Sequence, residues 1–175
     1  MTIDPAISYS FGIGLAALLI AGAAHKLRRP SAFFEILSNY RIAPEALSPV
    51  IGAIAIAAEL AIAVGLLIPA TRSIAACAGA GLFAVYGGAI ALNIARGRTA
   101  IDCGCSFGVG REGRLTPWLL ARNGALALAA LAVALPVGAR ALGWVDGATI
   151  IIFVAGAAAL YAAFEALMAL PAREA

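Results

Sequence analysis

Long runs of apolar residues, separated by short polar turns, dominate the pattern of this chain. A helix needs about 20 apolar residues to cross a hydrocarbon layer roughly 30 Å thick. Five runs approach or reach that length, at residues 7–25, 48–68, 73–95, 117–137 and 148–170. Proline, glycine and charged residues mark the boundaries between them. The pattern predicts an all-α integral membrane protein, a bundle of about five transmembrane helices that forms one membrane domain over residues 1–175.

A shorter segment, residues 31–40, follows a different pattern. Its apolar residues recur at the i, i+3 and i+4 spacing of an amphipathic helix, and they include Phe33, Phe34 and Tyr40. The segment is too short to span a bilayer. We therefore predict a short interfacial helix whose aromatic face lies among the lipid headgroups.

The composition agrees with a membrane protein. Hydrophobic residues make up 63% of the chain and charged residues only 12%, whereas charged residues approach roughly a quarter of a soluble domain. The net charge of +3 does not indicate nucleic-acid binding, because the arginines border the apolar runs instead of forming a surface stripe. The sequence also contains no phosphate-binding loop, no Ser/His/Asp set and no paired carboxylates of a hydrolase.

The basic residues are distributed unevenly across the predicted bundle. Alternating spans place Lys26, most of the arginines and the connector at residues 96–116 on one face, whereas Arg72 and Arg140 lie on the other. Cytoplasmic loops of membrane proteins are enriched in Lys and Arg. By this rule the connector is cytoplasmic.

Two cysteines in that connector are the first candidates for chemistry. Cys103 and Cys105 are separated by Gly104 in a glycine-rich segment flanked by arginines. A disulfide between them would close a very small ring, and such strain makes a disulfide more oxidising. The positive charges nearby favour the thiolate, which is the form that attacks disulfides. The pair, with Asp102 directly before it, indicates a candidate thiol–disulfide oxidoreductase, and the alternatives are a structural cross-link or binding of a soft metal such as Cu(I).

The remaining cysteine and the single histidine are interpreted as structural. Cys77 begins the third span on the opposite face, too far from the pair to join it, and is expected to be a small buried apolar residue. His25 is assigned to the charged stop that ends the first span. No metal site is predicted.

Glu59 lies near the middle of the second span. A carboxylate at that depth costs about 2.5–3.5 kcal/mol, so it must face the bundle interior and find a partner. We expect that partner to be Arg122 in the fourth span, with Asn93 and Asn123 as further hydrogen-bonding groups. The carboxylate would be either a proton relay for the cysteine pair or half of a structural pair.

The residues of the connector resemble those of a known family. The segment RGRTAIDCGC at residues 96–105, followed by Phe107-Gly108 and later by Arg122-Asn123, is similar to the methylamine utilisation protein MauE. His25-Lys26-Leu27, Tyr40 and Glu59 also fit the wider MauE/DoxX-like group of redox-associated membrane proteins. The resemblance covers about residues 7–137. Ser106 departs from it, because it stands between the second cysteine and the Phe-Gly pair.

The resemblance implies a role in enzyme maturation. MauE-like proteins are thought to act with a thioredoxin-like partner of the MauD type on the small subunit of methylamine dehydrogenase, which is rich in disulfides. The implied location is the bacterial inner membrane, with a periplasmic client. Because disulfides form outside the cytoplasm, this role requires the connector to be extracytoplasmic, against the charge distribution.

Two further points stay open at the level of sequence. A membrane quinone is a candidate electron acceptor for a bundle in lipid, although no motif identifies one. The competing functional class is a non-catalytic scaffold that docks the client or its chaperone through residues 31–40.

Overall fold

Six α-helices make up most of the described part of this computed structural model, which comprises residues 2–101 and 114–168. In chain order they are α1 (Pro5–Arg28), α2 (Pro30–Asn39), α3 (Ser48–Leu67), α4 (Arg72–Ala95), α5 (Pro117–Val133) and α6 (Trp144–Met168), with a 3-10 turn at Glu45–Leu47. The helices α1, α4 and α6, and α3 with its preceding turn, are long and apolar enough to cross a membrane, whereas α5 is a shorter apolar helix. The predicted all-α membrane bundle is confirmed, and the protein is a multi-pass membrane protein.

The helix boundaries follow local chemistry. A proline occupies the first or second position of α1, α2, α3 and α5, where its missing N–H leaves no helical hydrogen bond unmade. Asp4 caps α1 by accepting a hydrogen bond from the backbone N–H of Ala6 at 2.8 Å. The helix α5 ends at Val133, earlier than the predicted residue 137, because the chain must leave the helical conformation before Pro136.

Small residues bring four helices together at the centre of the bundle. One alanine from each of α1, α3, α4 and α5 is at most 1% exposed, and these are Ala16, Ala63, Ala76 and Ala130. Between α3 and α4, a Cβ placed on Gly65 would lie only 2.8 Å from the Cβ of Ala75. Helices in lipid associate mainly through such close packing, since there is no hydrophobic drive between them.

Three segments meet at one end of the bundle, as the alternation of spans predicts. They are the amino terminus, the start of α4 and the α5–α6 turn. Ile3 exchanges backbone hydrogen bonds of 2.9 Å with Pro136 and Gly138, which ties the amino terminus to the α5–α6 turn. At the start of α4, Ser73 donates to the carbonyl of Ala134 at 2.9 Å. Arg140 bridges Asp4 and the first turn of α6, and its hydrogen bonds to Asp4 lower the pKa of that carboxyl.

The opposite end holds the base of the connector. Gly97, at φ +69°, turns the chain out of α4, a left-handed conformation that glycine adopts without steric cost. The N–H of Leu115 then donates to the carbonyl of Thr99 at 2.8 Å, so the two described ends of the connector are joined. Asp102, Cys103 and Cys105 lie outside the described residues.

The structure corrects two orientations. The short helix forms as α2, but its aromatic face packs on α1 and α3 instead of among headgroups: Phe33 is buried against Ala23 and Ile56, and the Phe34 ring lies over Gly52. The Phe34 ring fits there because Gly52 has no side chain to occupy that space. Cys77, expected to be buried, is exposed on the outer surface of α4.

The contact between Phe34 and Gly52 predicts that Gly52→Ala loosens α2. An added Cβ would lie 2.5 Å from the Phe34 ring, and overpacking of this kind costs about 1–3 kcal/mol. We expect a lower midpoint of thermal unfolding for the detergent-purified protein. Gly81→Ala is the matched control, because no heavy atom lies within 4 Å of its added Cβ. Equal midpoints for the two variants would contradict the proposed packing.

Candidate functional site

A lysine–glutamate ion pair is buried between α1 and α3. Lys26 Nζ donates to Glu59 Oε1, and each side chain is only 3% exposed. Tyr86, on α4, donates its hydroxyl to the same carboxylate oxygen at 2.8 Å. Three membrane helices are therefore connected through one oxygen atom.

The local sequence explains how a lysine at the end of α1 reaches the middle of α3. Helical side chains tilt toward the amino terminus of their helix, so the stem of Lys26 runs back along α1, toward Gly22. A Cβ on Gly22 would lie 3.8 Å from Glu59 Oε2 and 4.0 Å from Lys26 Nζ. The glycine thus leaves the space in which the two charged groups meet.

Aromatic rings enclose the ammonium group. Lys26 Nζ lies 5.3 Å from the ring centroid of Phe33 and 5.2 Å from that of Tyr86. A cation within about 6 Å of a ring face is attracted by the negative potential of the ring. The rings therefore offset part of the cost of removing the ammonium from water, and Phe33 links α2 to the pair.

The structure gives Glu59 a different partner from the one expected, so the predicted pairing with Arg122 is wrong. Arg122 donates to the hydroxyl of Tyr161 on α6 at 3.1 Å. The side-chain amides of Asn93 and Asn123 donate to backbone carbonyls one turn earlier in their own helices, at 3.0 and 2.8 Å. The need of Glu59 for an interior partner is nevertheless met.

Lys26 and Tyr86 are the site residues that the sequence interpretation missed. The sequence pattern places Lys26, like its neighbour His25, in the charged stop that ends the first span. A signal was present, however, because Lys26 is the only lysine among the 12 basic residues of the chain. Because all the other basic residues are arginines, the single lysine stands out as a candidate partner for the intramembrane Glu59.

A cavity of about 310 Å³ lies against this pair, between α2, α3 and α4. Lys26 and Tyr86 form part of its wall, and most of the remainder is hydrocarbon. Two further residues of the wall, Tyr40 and Ile90, are buried in one cluster with Leu115 at the base of the connector. The ion pair, the cavity and the connector base are therefore adjacent parts of one region.

Comparison with known proteins identifies relatives over most of the chain. Residues 4–136 match the family described as methylamine utilisation protein MauE. The chain is 40% identical to the MauE of Paracoccus denitrificans over 139 residues, covering 78% of this chain and 72% of the relative. It is 41% identical to that of Methylorubrum extorquens over 140 residues, covering 79% and 75%. For Paracoccus versutus the identity is 40% over 171 residues, covering 97% and 91%. No solved structure matches.

The buried pair predicts strongly non-additive effects of substitution. Lys26→Met leaves Glu59 buried without its cation, and removal of one member of such a pair costs about 3–5 kcal/mol. Replacing both with Lys26→Met/Glu59→Leu should recover most of that loss, because no charge is left unpaired. The measurement is a double-mutant cycle on thermal or denaturant unfolding in detergent, with Glu59→Leu as the other single variant.

Arg28→Met is the control for the loss of a positive charge from the same helix. Arg28 is exposed, so its substitution should change the free energy of unfolding by no more than about 0.5 kcal/mol. Additive losses from the two single substitutions would contradict the pairing of Lys26 with Glu59.

Proposed function

This chain belongs to the MauE family of methylamine utilisation proteins, and we propose that its Cys103–Cys105 pair performs thiol–disulfide exchange in the maturation of a periplasmic redox enzyme. The client is the methylamine dehydrogenase small subunit, and the exchange partner is a thioredoxin-like protein of the MauD type. The protein lies in the bacterial inner membrane. The family name connects it with methylamine utilisation, and the chemistry of the connector provides the mechanism.

The observation that carries this proposal is the closed base of the connector. The hydrogen bond between Thr99 and Leu115 holds the two ends of the connector together, and Leu115 packs on Tyr40 and Ile90. Cys103 follows Ile101 by two residues, which span at most about 7 Å of extended chain. This short connection to a fixed point at one end of the bundle supports an exchange between the pair and a partner protein.

In the oxidising direction, a thiolate of the partner attacks the Cys103–Cys105 disulfide and forms a mixed disulfide. The second thiolate of the partner then attacks its own bridged sulfur and releases the pair as two thiols. Two electrons and two protons pass from the partner to the pair, and the partner gains one disulfide. Gly104 and the flanking arginines favour this exchange, because the small ring is strained and the positive charges stabilise the leaving thiolate.

The second functional class, a scaffold that docks a partner through residues 31–40, has less support from the packing of α2. It required Phe33 and Phe34 to present an aromatic surface, but both rings pack against α1 and α3. Charged substitutions there would disrupt the bundle itself. They would therefore not distinguish docking from folding.

The proposal predicts that Cys103→Ser/Cys105→Ser lowers mature, active methylamine dehydrogenase at least tenfold in a strain that lacks the native protein. The amount of membrane-inserted protein should stay unchanged, since both cysteines lie in the connector between the apolar runs and serine replaces only the sulfur atom. Cys77→Ser is the matched control and should sustain full maturation, because Cys77 is exposed on α4. Full maturation in the double variant, measured by dye-linked methylamine oxidation in periplasmic extracts, would exclude the exchange role.

The proposed periplasmic location of the connector has a separate test. In a Cys77→Ser background, a membrane-impermeant maleimide should label the reduced pair in intact cells. Cytoplasmic cysteines, such as one introduced in the Pro69–Thr71 turn, should be labelled only after lysis. Protection of the pair until lysis would place the connector in the cytoplasm, as the arginine distribution suggests.

A further inference from the structure

The cavity beside the ion pair opens toward lipid. Its volume of about 310 Å³ lies at the lower end of the range of small-molecule sites. Ile54 and Val85, in its wall, are 63% and 67% exposed on α3 and α4. Because these helices are apolar enough to cross the membrane, the surface on which the cavity opens faces hydrocarbon. An occupant would therefore enter from the bilayer.

The polar end of the cavity has unused hydrogen-bonding capacity. Lys26 Nζ donates to Glu59, and within the described part of the chain its other close neighbours are the rings of Phe33 and Tyr86, with centroids at 5.3 and 5.2 Å. Glu59 Oε2 is also buried and accepts no hydrogen bond from the part of the chain that the structure describes. Unmet polar groups in a dry environment cost free energy. An occupant that brought a hydrogen-bond acceptor to Lys26 would recover some of that cost.

The charge of the site selects a neutral occupant. Lys26 and Glu59 together carry no net charge, so an anionic headgroup would leave one negative charge unbalanced in a low-dielectric cavity. A carbonyl oxygen accepts hydrogen bonds without adding charge. Three residues of the wall, Phe33, Tyr40 and Tyr86, are aromatic, and aromatic rings pack favourably on planar rings.

We propose that this cavity binds the ring of a membrane quinone, with one carbonyl oxygen accepting a hydrogen bond from Lys26 Nζ. The isoprenoid chain leaves the cavity between Ile54 and Val85 into the bilayer. Binding of the quinone does not depend on the proposed function, but its role does. That role is to remove the electrons that the cysteine pair collects in thiol–disulfide exchange. The Cys103 and Cys105 thiols form a disulfide and give up two electrons and two protons, and the quinone takes up both to become a quinol.

The position of the cavity suits that electron transfer. Tyr40 and Ile90 line the cavity and also contact Leu115 at the connector base. Only one layer of side chains therefore separates the proposed ring from the point at which the cysteine segment is anchored. The ester carbonyl of a lipid acyl chain offers the same neutral acceptor, and the experiment must separate these two sources.

The test measures binding of a benzoquinone that carries a ten-carbon chain to the full-length protein in detergent, by titration calorimetry. It is done in the Cys103→Ser/Cys105→Ser background, so a failure of thiol exchange cannot change the result. We expect saturable binding that Ala55→Phe weakens at least tenfold, because Ala55 lines the cavity. Ala57→Phe, an exposed position on the same helix outside the wall, is the matched control and should bind normally.

Two further comparisons identify the occupant. Methyl palmitate, which offers a carbonyl without a ring, should not displace the quinone at equal concentration. The double variant Lys26→Met/Glu59→Leu should bind the quinone at least tenfold more weakly while retaining its fold. Equal displacement by the ester would assign the cavity to lipid chains and overturn the quinone. Non-saturable uptake, or wild-type affinity in Ala55→Phe, would overturn the site.

Discussion

The bundle depends on the contact between Lys26 and Glu59 in a setting that water does not reach. Burial of either charge alone would be costly, and their mutual attraction offsets that cost only when the two groups meet directly. The pair therefore allows few relative positions of α1 and α3. Tyr86 extends the constraint to α4 through the same oxygen. Two hydrogen bonds to one carboxylate oxygen therefore constrain the relative positions of three helices.

Packing of α2 follows from that arrangement. Phe33 covers the ammonium of Lys26, and Phe34 fills the space over Gly52, so the short helix forms one wall of the bundle. A cavity remains where the side chains of α2, α3 and α4 leave space between them. Phe33, which helps to hold α2 in place, also lines this cavity.

The parts of the candidate site are adjacent to one another. The ion pair borders the cavity, and Tyr40 and Ile90 lie between the cavity and the connector base. Family membership relates the chain to methylamine utilisation. The base of the connector, from which the chain continues toward the cysteine pair, lies next to an apolar cavity. This adjacency supports the proposed chemistry, because a lipid-soluble carrier in the cavity would be close to the point where the connector begins.

Sequence alone determined the helices, since the long apolar runs predicted each long helix to within a few residues. It also determined that Glu59, an isolated charge in an apolar run, required an interior partner. It could not choose between Lys26 and Arg122, because α1 and α3 are apolar around most of their circumference and no amphipathic stripe reveals which face is buried. It placed Cys77 inward for the same reason, since α4 also lacks an amphipathic stripe. The aromatic face of α2 is clear from the sequence pattern, but the pattern does not say whether protein or lipid headgroups cover that face. Length and hydropathy are local properties of the chain. The identity of a partner depends on helix rotation and on the direction in which each side chain leaves its helix, and only the packed structure decided these.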